Sequence, residues 1–534
     1  MDKLDSHINI SVSRNRSVFC VLVLMAVMFA VFACRPDDIT PPESKPSDTT
    51  AADTARKDTL PADTIVTDTA GVDTTVIDTV AADTLHFDTI PDIPRDPDDT
   101  ARNLAYLFDI NDLPVVTIQV TEADWNQYLT NFDNNPDNTL YVPAAFTFEK
   151  GDGRIFYRDS VGLRPRGNTS RRRPEGYPGE HHNRTNPDWH HAHFGIKFTE
   201  YESGQRFFGM DRIVLKWFNN DPTYCREIYC YDLFRRFGVW SAPRASYCRL
   251  YIHVKGDSQK AYFGIYEMLE GVRKGYLDDR RKDGYLPDTQ GNLWKAAYGN
   301  QGPADLFNTD QSRMGVADEQ HSYTYSLKTN KSLGLPAAKT QLVGFINGMM
   351  PLPSGSDQLK EWLTQHIDID LFLRQLAVNV MVGMWDDYWV NGNNYYFYFD
   401  LNSRFYFIPY DYDNTLGTSS ILNDSGTQDL LHWGSRDGDR LLVKKVLSIK
   451  EFENTYKQYI KQLAASDELF APEGSKARIS QFQNLVRPYI ANDTGEDMEM
   501  YDQPAPWSNQ PQYRLLSGSQ HTNFFITKIN SINF

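Results

Sequence analysis

The chain has 534 residues, which leaves room for more than one domain of ordinary size. Aromatic residues make up 13% of it, enough to build an apolar core and a binding surface. Its formal net charge is −16, which argues against a nucleic-acid-binding protein, because such proteins present a basic face. We therefore expect no nucleic acid among its partners. After residue 34 no apolar stretch is long enough to cross a membrane.

The N-terminus has the pattern of a secretory signal. Arg14 and Arg16 precede an apolar run at 18–33, and Cys34 follows that run directly. A basic start, a short apolar stretch and small residues before a cleavage point are typical of export signals. An uncleaved membrane anchor is the alternative, but the run is shorter than the ~20 residues that a span needs. We predict a lipoprotein signal peptide over 1–33 and lipidation of Cys34.

Residues 34–101 are predicted to form a disordered tether. Asp-Thr recurs there at a strict step of five between Asp48 and Asp88, which matches neither helix nor strand periodicity. Repeated like charges and few large apolar groups also oppose a packed core. The repeat resembles the O-glycosylation sequence of Bacteroidota, and a bare spacer is the alternative. Acidic residues at 37–38, just after Cys34, resemble the surface-export signal of the same phylum. We therefore expect a lipid-anchored protein of the cell envelope, in the outer membrane and exposed at the surface, although the leaflet stays open.

Residues 102–534 have the periodic, aromatic-rich sequence of a folded domain. Short β-branched and aromatic runs predict strands up to about residue 290. A helix is predicted over 222–238, which starts with proline and ends with glycine. Helical periodicity follows over 367–385 and again after residue 440. Strands first and helices later predict an α+β fold with a helical C-terminal part.

Cysteines and histidines of this part leave their roles open. Cys225, Cys230 and Cys248 allow one disulfide after export, or they stay as buried free thiols. Five histidines fall within thirteen residues: His181, His182, His190, His191 and His193. They would suit zinc or copper, but no helical i, i+4 spacing supports a metal site. Prolines among them favour a solvated or substrate-facing loop.

A polar turn at 163–172 has the residue types that bind phosphate. Gly167 and Asn168 permit a tight turn, and Arg164 and Arg166 stand beside it. Backbone amides of such a turn, together with arginines, suit a phosphate group. A polar hairpin tip has the same appearance, so this turn alone does not decide the function.

Two later stretches have the outline of a phosphoryl-transfer site. In 385–400 carboxylates precede an Asn-rich turn that opens a strand, and in 407–417 Asp411 and Asp413 end an apolar strand. One aspartate would accept a hydroxyl proton, and an asparagine and another aspartate would hold Mg²⁺. An acidic cluster that binds calcium or caps turns is the alternative.

Six landmarks resemble, in order, the spore coat protein H (CotH) kinase family, a group of atypical kinases. They are 166–170, 196–198, Asp221 with Arg226 and Glu227, 264–266 with Glu270, Trp385 and Asp386 with 394–396, and 411–413. The resemblance spans about 103–417. It implies an atypical protein-kinase-like fold over 102–534, with an active-site segment at 385–417. It also implies transfer of phosphate from ATP to Ser or Thr of exported proteins.

The resemblance assigns roles to the matching residues. Asp386 would be the catalytic aspartate, and Asn394 and Asp411 would hold Mg²⁺ or Mn²⁺. The implied nucleotide-binding residues are Arg166, Gly167, Asn168, Lys197, Glu227 and Glu270. Among these, Lys197 would meet the α- and β-phosphates with Glu227 as its ion partner, and Glu270 would lie near the connection on the adenine side.

Several residues rival these assignments. Lys216 and Lys295 are alternative nucleotide lysines, Asp387 rivals Asp386, and Asn391 keeps the ordinary kinase spacing and rivals Asn394. The leading hypothesis is a lipid-anchored kinase that acts on exported or cell-surface proteins, although ATP is scarce outside the cytoplasm. A non-catalytic surface scaffold that binds glycan or protein is the alternative, and a hydrolase with the same metal site is a third. The acceptor and the oligomeric state stay open.

Overall fold

The structure, a computed structural model, describes four segments of the chain: residues 102–317, 322–331, 334–434 and 440–534. The predicted signal peptide at 1–33, the tether at 34–101 and the lipidation of Cys34 lie outside these segments and stay predictions. Within them, no helix has both the length and the apolarity to cross a bilayer.

Seven strands of the first half close into a barrel. They are β1 (Val115–Val120), β2 (Val142–Glu149), β3 (Ile155–Arg166), β4 (His193–Lys197), β5 (Arg212–Trp217), β6 (Ala245–Val254) and β7 (Ala261–Glu270). The order around the barrel is β1-β2-β3-β4-β5-β7-β6, and parallel pairing of β1 with β6 closes it. Buried and exposed residues alternate along most of β2, since one face points into the core. Packed aromatic rings, such as Phe146 against Phe207, fill this core.

A five-stranded sheet follows in the chain. Its strands are β8 (Asn292–Ala296), β9 (Met314–Gly315), β10 (Tyr325–Leu327), β11 (Tyr395–Phe399) and β12 (Phe405–Pro409), in the order β12-β11-β8-β10-β9. Every residue of β11 and β12 is buried, which explains their unbroken apolar and aromatic sequence. This hairpin places residues 385–394 before one strand and Asp411 just after the other.

Eleven α-helices are present among the described residues. They are α1 (Leu104–Leu107), α2 (Glu122–Asn134), α3 (Arg226–Arg236), α4 (Lys274–Lys282), α5 (Leu335–Met349), α6 (Asp357–His366), α7 (Ile369–Met381), α8 (Leu441–Leu447), α9 (Lys450–Ala465), α10 (Pro472–Val486) and α11 (Phe524–Asn530). A second apolar core joins α3, the five-stranded sheet and the later helices. The prediction of an α+β fold is therefore confirmed.

The helix predicted over 222–238 begins later, at Arg226. Residues before it form turns, and the Asp221 carboxylate accepts from the backbone amides of Thr223, Cys225 and Arg226 at 2.9–3.0 Å. These bonds satisfy amide groups that a helix start leaves free. Cys225 is a buried free thiol, and so are the other two cysteines of the described segments, so no disulfide joins them.

Candidate active site

Three carboxylates surround one lysine where the barrel faces α3. Lys216 lies on β5, Glu227 in the first turn of α3, and Asp411 and Asp413 directly after β12. The Lys216 ammonium donates to the Glu227 carboxylate, and its Nζ lies 2.6 Å from Asp411 Oδ1 and 3.5 Å from Asp413 Oδ2. We call these four residues the lysine cluster. They bring together segments that are nearly 200 residues apart in the chain.

Burial and the ammonium shift the pKa values of the two aspartates in opposite directions. Burial raises the pKa of Asp411, but Lys216 outweighs burial and leaves that pKa lowered. Burial holds the pKa of Asp413 well above its usual value. One Asp413 oxygen is also buried without a hydrogen-bond partner among the described residues. Asp411 therefore stays charged to a lower pH than Asp413 does.

The backbone of Asp411 adopts a left-handed conformation, with φ of 65°. Its N–H donates to the Tyr231 hydroxyl at 2.9 Å, which fixes the residue on α3. Aspartate and asparagine tolerate this region better than other residues with a side chain. The conformation turns the Asp411 carboxylate toward Lys216.

A metal ion fits the lysine cluster. Glu227, Asp411 and Asp413 form the one group of metal-ligand type found in the described residues, with ligand atoms within 4.8 Å of one another. Carboxylate oxygens are the ligands that Mg²⁺ prefers. The unpartnered oxygen of Asp413 is a free ligand atom. Asp411, predicted as a metal ligand, therefore lies where a divalent cation can bind.

Asp386 lies on the loop between α7 and β11, where three asparagines hold its carboxylate. It accepts from the side-chain amides of Asn391 at 2.5 Å, Asn393 at 3.0 Å and Asn394 at 2.9 Å. Burial raises the pKa of Asp386, and these three amides oppose the rise. Both the predicted Asn394 and its rival Asn391 thus orient Asp386, and the sequence analysis missed Asn393.

Asp387 points into the interior instead. Its carboxylate accepts from the Asn379 side chain at 2.6 Å and from the Val390 N–H at 2.9 Å. The residue is only 3% exposed, and burial raises its pKa to about 6. Asp387 therefore anchors the loop, and Asp386 is the aspartate of this pair that is open to a substrate.

The predicted phosphate turn lies beside the lysine cluster. Arg166 ends β3, and its Nη2 donates to the hydroxyl of Tyr410, the residue before Asp411, at 3.1 Å. Gly167 has φ of 106°, a conformation that favours glycine, and Asn168 follows on the exposed tip. His193, whose Nε2 lies 3.0 Å from Ser170 Oγ, ties this turn to β4.

The predicted ion pair between Lys197 and Glu227 does not form. Lys197 lies on β4 and pairs with Glu200, while the rival Lys216 pairs with Glu227. Strand register is the reason, because Lys197 pairs with Arg212 on β5, four residues before Lys216. One sequence signal favoured Lys216, since it lies on the strand directly before α3, 11 residues before Glu227.

Two further candidates, Glu270 and Lys295, lie outside the lysine cluster. Glu270 ends β7, is 1% exposed, and accepts from both outer nitrogens of Arg280 at 2.5 and 2.8 Å. Its carboxylate is therefore committed to an internal ion pair, and a nucleotide contact through this side chain is not supported. Lys295, the other rival lysine, lies on β8 with its Nζ 5.9 Å from the ring centre of Tyr410.

The histidine-rich segment is more buried than expected. His182, His191 and His193 are buried, so the expectation of a solvated loop is wrong for them. His182 lies between Glu175 and Asp257, at 3.0 and 2.9 Å. Burial lowers the pKa of His182, but these carboxylates outweigh burial and raise it to about 9. Among the described residues the histidines form no metal-ligand group.

The family model described as CotH kinase protein matches residues 163–514. The chain belongs to the CotH kinase family. The match contains the lysine cluster, the 385–394 loop and the 166–170 turn, whereas β1, β2 and most of β3 precede it. The suspected family is thus confirmed by a match over more than half of the chain.

Curated relatives of the same family are distant. Invasin CotH7 of Rhizopus delemar is 21% identical over 343 residues, which cover 64% of this chain and 52% of that protein. Inner spore coat protein H of Bacillus subtilis is 25% identical over 303 residues, covering 55% of this chain and 74% of that protein. The chain thus spans about half the length of the first relative, and identities this low do not establish a shared activity.

Proposed function

We propose that the chain is an atypical kinase of the CotH family that transfers phosphate from ATP to Ser or Thr of exported or cell-surface proteins. Cys34 would anchor it in the cell envelope, and the segment at 34–101 would be its tether. The observation that carries the proposal is the lysine cluster, together with an oriented Asp386. Family membership supports a kinase-like function in the coarser sense.

The arrangement of elements supports a protein-kinase-like fold. Protein kinases need a strand lysine paired with a helix glutamate and an aspartate that holds the metal against the phosphates. Lys216 on β5, Glu227 on α3 and Asp411 after β12 match those three parts in chain order. In this proposal Lys216 replaces Lys197 as the lysine that meets the nucleotide.

The chemical roles follow from the positions of the side chains. Bound Mg²⁺ or Mn²⁺ would neutralise the charge that develops on the phosphates. Asp411 and Asp413 would hold it, with the carboxamide oxygen of Asn394 as a predicted further ligand. Arg166 and the backbone of the 166–170 turn would bind phosphate oxygens, and Lys216 would turn to them from Asp411.

Asp386 would act as the base. The acceptor hydroxyl attacks the γ-phosphorus, the bond to the β–γ bridging oxygen breaks, ADP leaves, and the hydroxyl proton passes to Asp386. Three asparagine amides hold the Asp386 carboxylate in one orientation, and burial raises its pKa, so that it is a better proton acceptor than a solvated aspartate.

Transfer of labelled phosphate from ATP tests this proposal. The full chain, with Mg²⁺, should label itself or envelope proteins, and Asp386→Asn should abolish the labelling while the chain stays folded. Asp278→Asn is the matched control, because this exposed carboxylate only pairs with Lys274 on the surface of α4. Labelling that survives Asp386→Asn unchanged would show that Asp386 is not the base.

A binding scaffold is the second candidate. It is favoured by a cleft of about 650 Å³ between residues 220–224 and 495–511, whose walls carry tyrosines, prolines and acidic groups. Such a lining suits an extended protein segment or a glycan. This candidate predicts partner binding that is indifferent to ATP and Mg²⁺, and a partner whose affinity rises with Mg²⁺ and ATP would count against it.

A further inference from the structure

Four cationic side chains lie together next to the lysine cluster. Arg166 on β3, Arg273 between β7 and α4, and Lys295 on β8 surround Tyr396 on β11, which contacts Tyr410 after β12. Arg164, also on β3, lies near Arg166 and Arg273 and places its guanidinium over the ring of Tyr141. Arg166 donates to the Tyr410 hydroxyl at 3.1 Å, and Arg273 donates to the Tyr396 hydroxyl at 3.3 Å. The two tyrosine rings are 5.0 Å apart. We call the four cations the cationic group.

The cationic group lacks carboxylate partners. In the segments that the structure describes, none of its four members forms an ion pair with Asp or Glu. Arg166 and Arg273 donate to tyrosine hydroxyls and a backbone carbonyl instead. Asp411 acts on Lys295, but it already pairs with Lys216. Positive charge is therefore in excess here.

The cations also repel one another, and burial limits the screening of their charges by water. Burial lowers the pKa of Arg164, and Arg166 and Arg273 lower it further, to about 10. Burial and the same two arginines lower the pKa of Lys295. Buried charge without a counter-charge is unfavourable. Such a group is expected where an anion binds, because the anion removes both the repulsion and the desolvation cost.

We propose that the cationic group is an anion subsite that binds a phosphate group of an oligophosphate beside the lysine cluster. The proposal rests on the proposed function, since it concerns the phosphate donor of the same site. The family resemblance would place the adenine near Glu270, but Arg273, three residues later, brings a cation there. An uncharged base would leave the cationic group unpaired.

The chemistry of the group favours phosphate over other anions. Guanidinium groups donate in a fork that matches phosphate oxygens, and an ammonium adds a point charge. Tyr410 belongs to this subsite and the next residue, Asp411, to the lysine cluster, so their Cα atoms are only about 3.8 Å apart. A chain of phosphates can therefore reach both. The triphosphate of a nucleotide and an inorganic polyphosphate share this chemistry.

Metal-free binding of tripolyphosphate to the full chain tests the subsite. Calorimetric titration in a chelator, at fixed ionic strength, should show binding of tripolyphosphate and none of adenosine. Arg273→Met should weaken tripolyphosphate binding about tenfold or more, since it removes charged hydrogen bonds. Lys274→Met is the matched control: it removes the same charge one residue away, on a side chain that is 66% exposed and paired with Asp278, and should leave binding unchanged.

A second variant covers the case in which Arg273→Met does not fold. Lys295→Met removes a cation from a different strand and should weaken tripolyphosphate binding in the same direction. Equal binding by the unmodified chain and a folded variant would overturn the subsite, as would adenosine binding as tightly as ATP. Transfer assays with labelled ATP and labelled polyphosphate then distinguish the two sources of the phosphate chain.

The subsite and the kinase assignment can fail separately. ATP-dependent labelling that is insensitive to Arg273→Met would overturn the subsite and leave the kinase standing. Tripolyphosphate binding that is lost in Arg273→Met, in a chain that labels no acceptor from any donor, would support the subsite and count against the kinase. Asp386→Asn should abolish transfer and leave tripolyphosphate binding unchanged, which supports both.

Discussion

Two groups of charged side chains meet at Tyr410 and Asp411, and they differ in how their charge is balanced. In the lysine cluster, a single ammonium lies among three carboxylates. In the cationic group, four cations lie together beside Tyr396 and Tyr410, without a carboxylate partner in the described segments. The positive field of this group lowers the pKa of Tyr396 to about 8, although burial by itself would raise it.

The difference indicates which ligand each group takes. The lysine cluster has more acidic than basic groups, and Lys216 holds them together without a ligand. The cationic group has only basic members and is stabilised when an anion arrives. A divalent cation and an oligophosphate would supply the charge that each group lacks. The two groups together therefore support one ligand, a metal–phosphate complex, better than either does alone.

Replacement of Asp386, the proposed base, should have the largest effect on activity. In Asp386→Asn, the labelling rate with ATP should fall by about 10²–10⁴-fold, the usual contribution of a general base. Asparagine keeps one of the two acceptor oxygens and replaces the other with a donor, so the unfolding free energy should fall by about 1–3 kcal/mol at most. Initial rates and a denaturant melt on the same preparation check both. A rate within a factor of two of the unmodified chain would contradict the assignment.

Breaking the balance of the lysine cluster should destabilise the fold. Lys216→Met leaves carboxylates without their cation, and removal of one partner of a buried pair costs about 3–5 kcal/mol. Because Asp411 and Asp413 are about one-third exposed, we expect a loss near the lower end of that range. Denaturant unfolding measures it.

The same variant tests the metal site. Mg²⁺ should restore more stability to Lys216→Met than to the unmodified chain, since it can replace the ammonium among the carboxylates. Lys274→Met, at an exposed lysine, is the control: its stability and its response to Mg²⁺ should match those of the unmodified chain. A Lys216→Met chain that is as stable as the unmodified one would show that the cluster is not held by this lysine.

His182 and its two carboxylate partners form a third charged group, and its contribution to stability depends on pH. His182 lies between Glu175 and Asp257, and its pKa is raised to about 9. The stability that it contributes is present below the unfolded value of about 6.5 and is lost as pH rises through about 9. That contribution is up to about 3 kcal/mol.

Unfolding free energies at pH 6 and pH 9.5 measure this effect. His182→Gln should be destabilised at pH 6 and should lose less stability than the unmodified chain on going to pH 9.5. Parallel pH profiles for the two chains would mean that His182 is not charged in the folded state.

The smallest effect should have the opposite sign. Removal of one member of the cationic group relieves repulsion, so Lys295→Met should leave ligand-free stability unchanged or raise it by up to about 1 kcal/mol. Lys216→Met makes the same lysine-to-methionine change on another strand and should lower stability instead. A loss of 2 kcal/mol or more in Lys295→Met, measured by the same denaturant melt, would show that its charge is already paired.

Local pattern in the sequence predicted much of the fold and part of the site. Strand and helix periodicity predicted the α+β class, and motif order selected Glu227 and Asp411, which the structure brings together at Lys216. The predicted ion pair between Lys197 and Glu227 was wrong, because the register of β4 on β5 decides which lysine reaches α3, and neither strand's sequence alone fixes that register.

Long-range partners explain the remaining misses. His182 is buried because Asp257, 75 residues away, pairs with it, so a polar, proline-rich segment became part of the interior. Arg273 follows the landmark at Glu270 and carries no motif of its own. It enters the cationic group only because β11 brings Tyr396, 123 residues later, to its guanidinium. Such pairings depend on the whole topology.

Nucleotide binding at the lysine cluster is the central claim, and a thermal-shift comparison tests it most directly. The full chain is melted with and without ATP and Mg²⁺, beside Asp411→Asn, a variant that keeps a residue suited to the left-handed backbone there. Ligand at about 100 times its dissociation constant adds roughly 2.7 kcal/mol. A rise in melting temperature that is larger with Mg²⁺ than in a chelator, and whose Mg²⁺-dependent part disappears in Asp411→Asn, is the predicted result. An equal rise in both chains, or no rise in either, would contradict it.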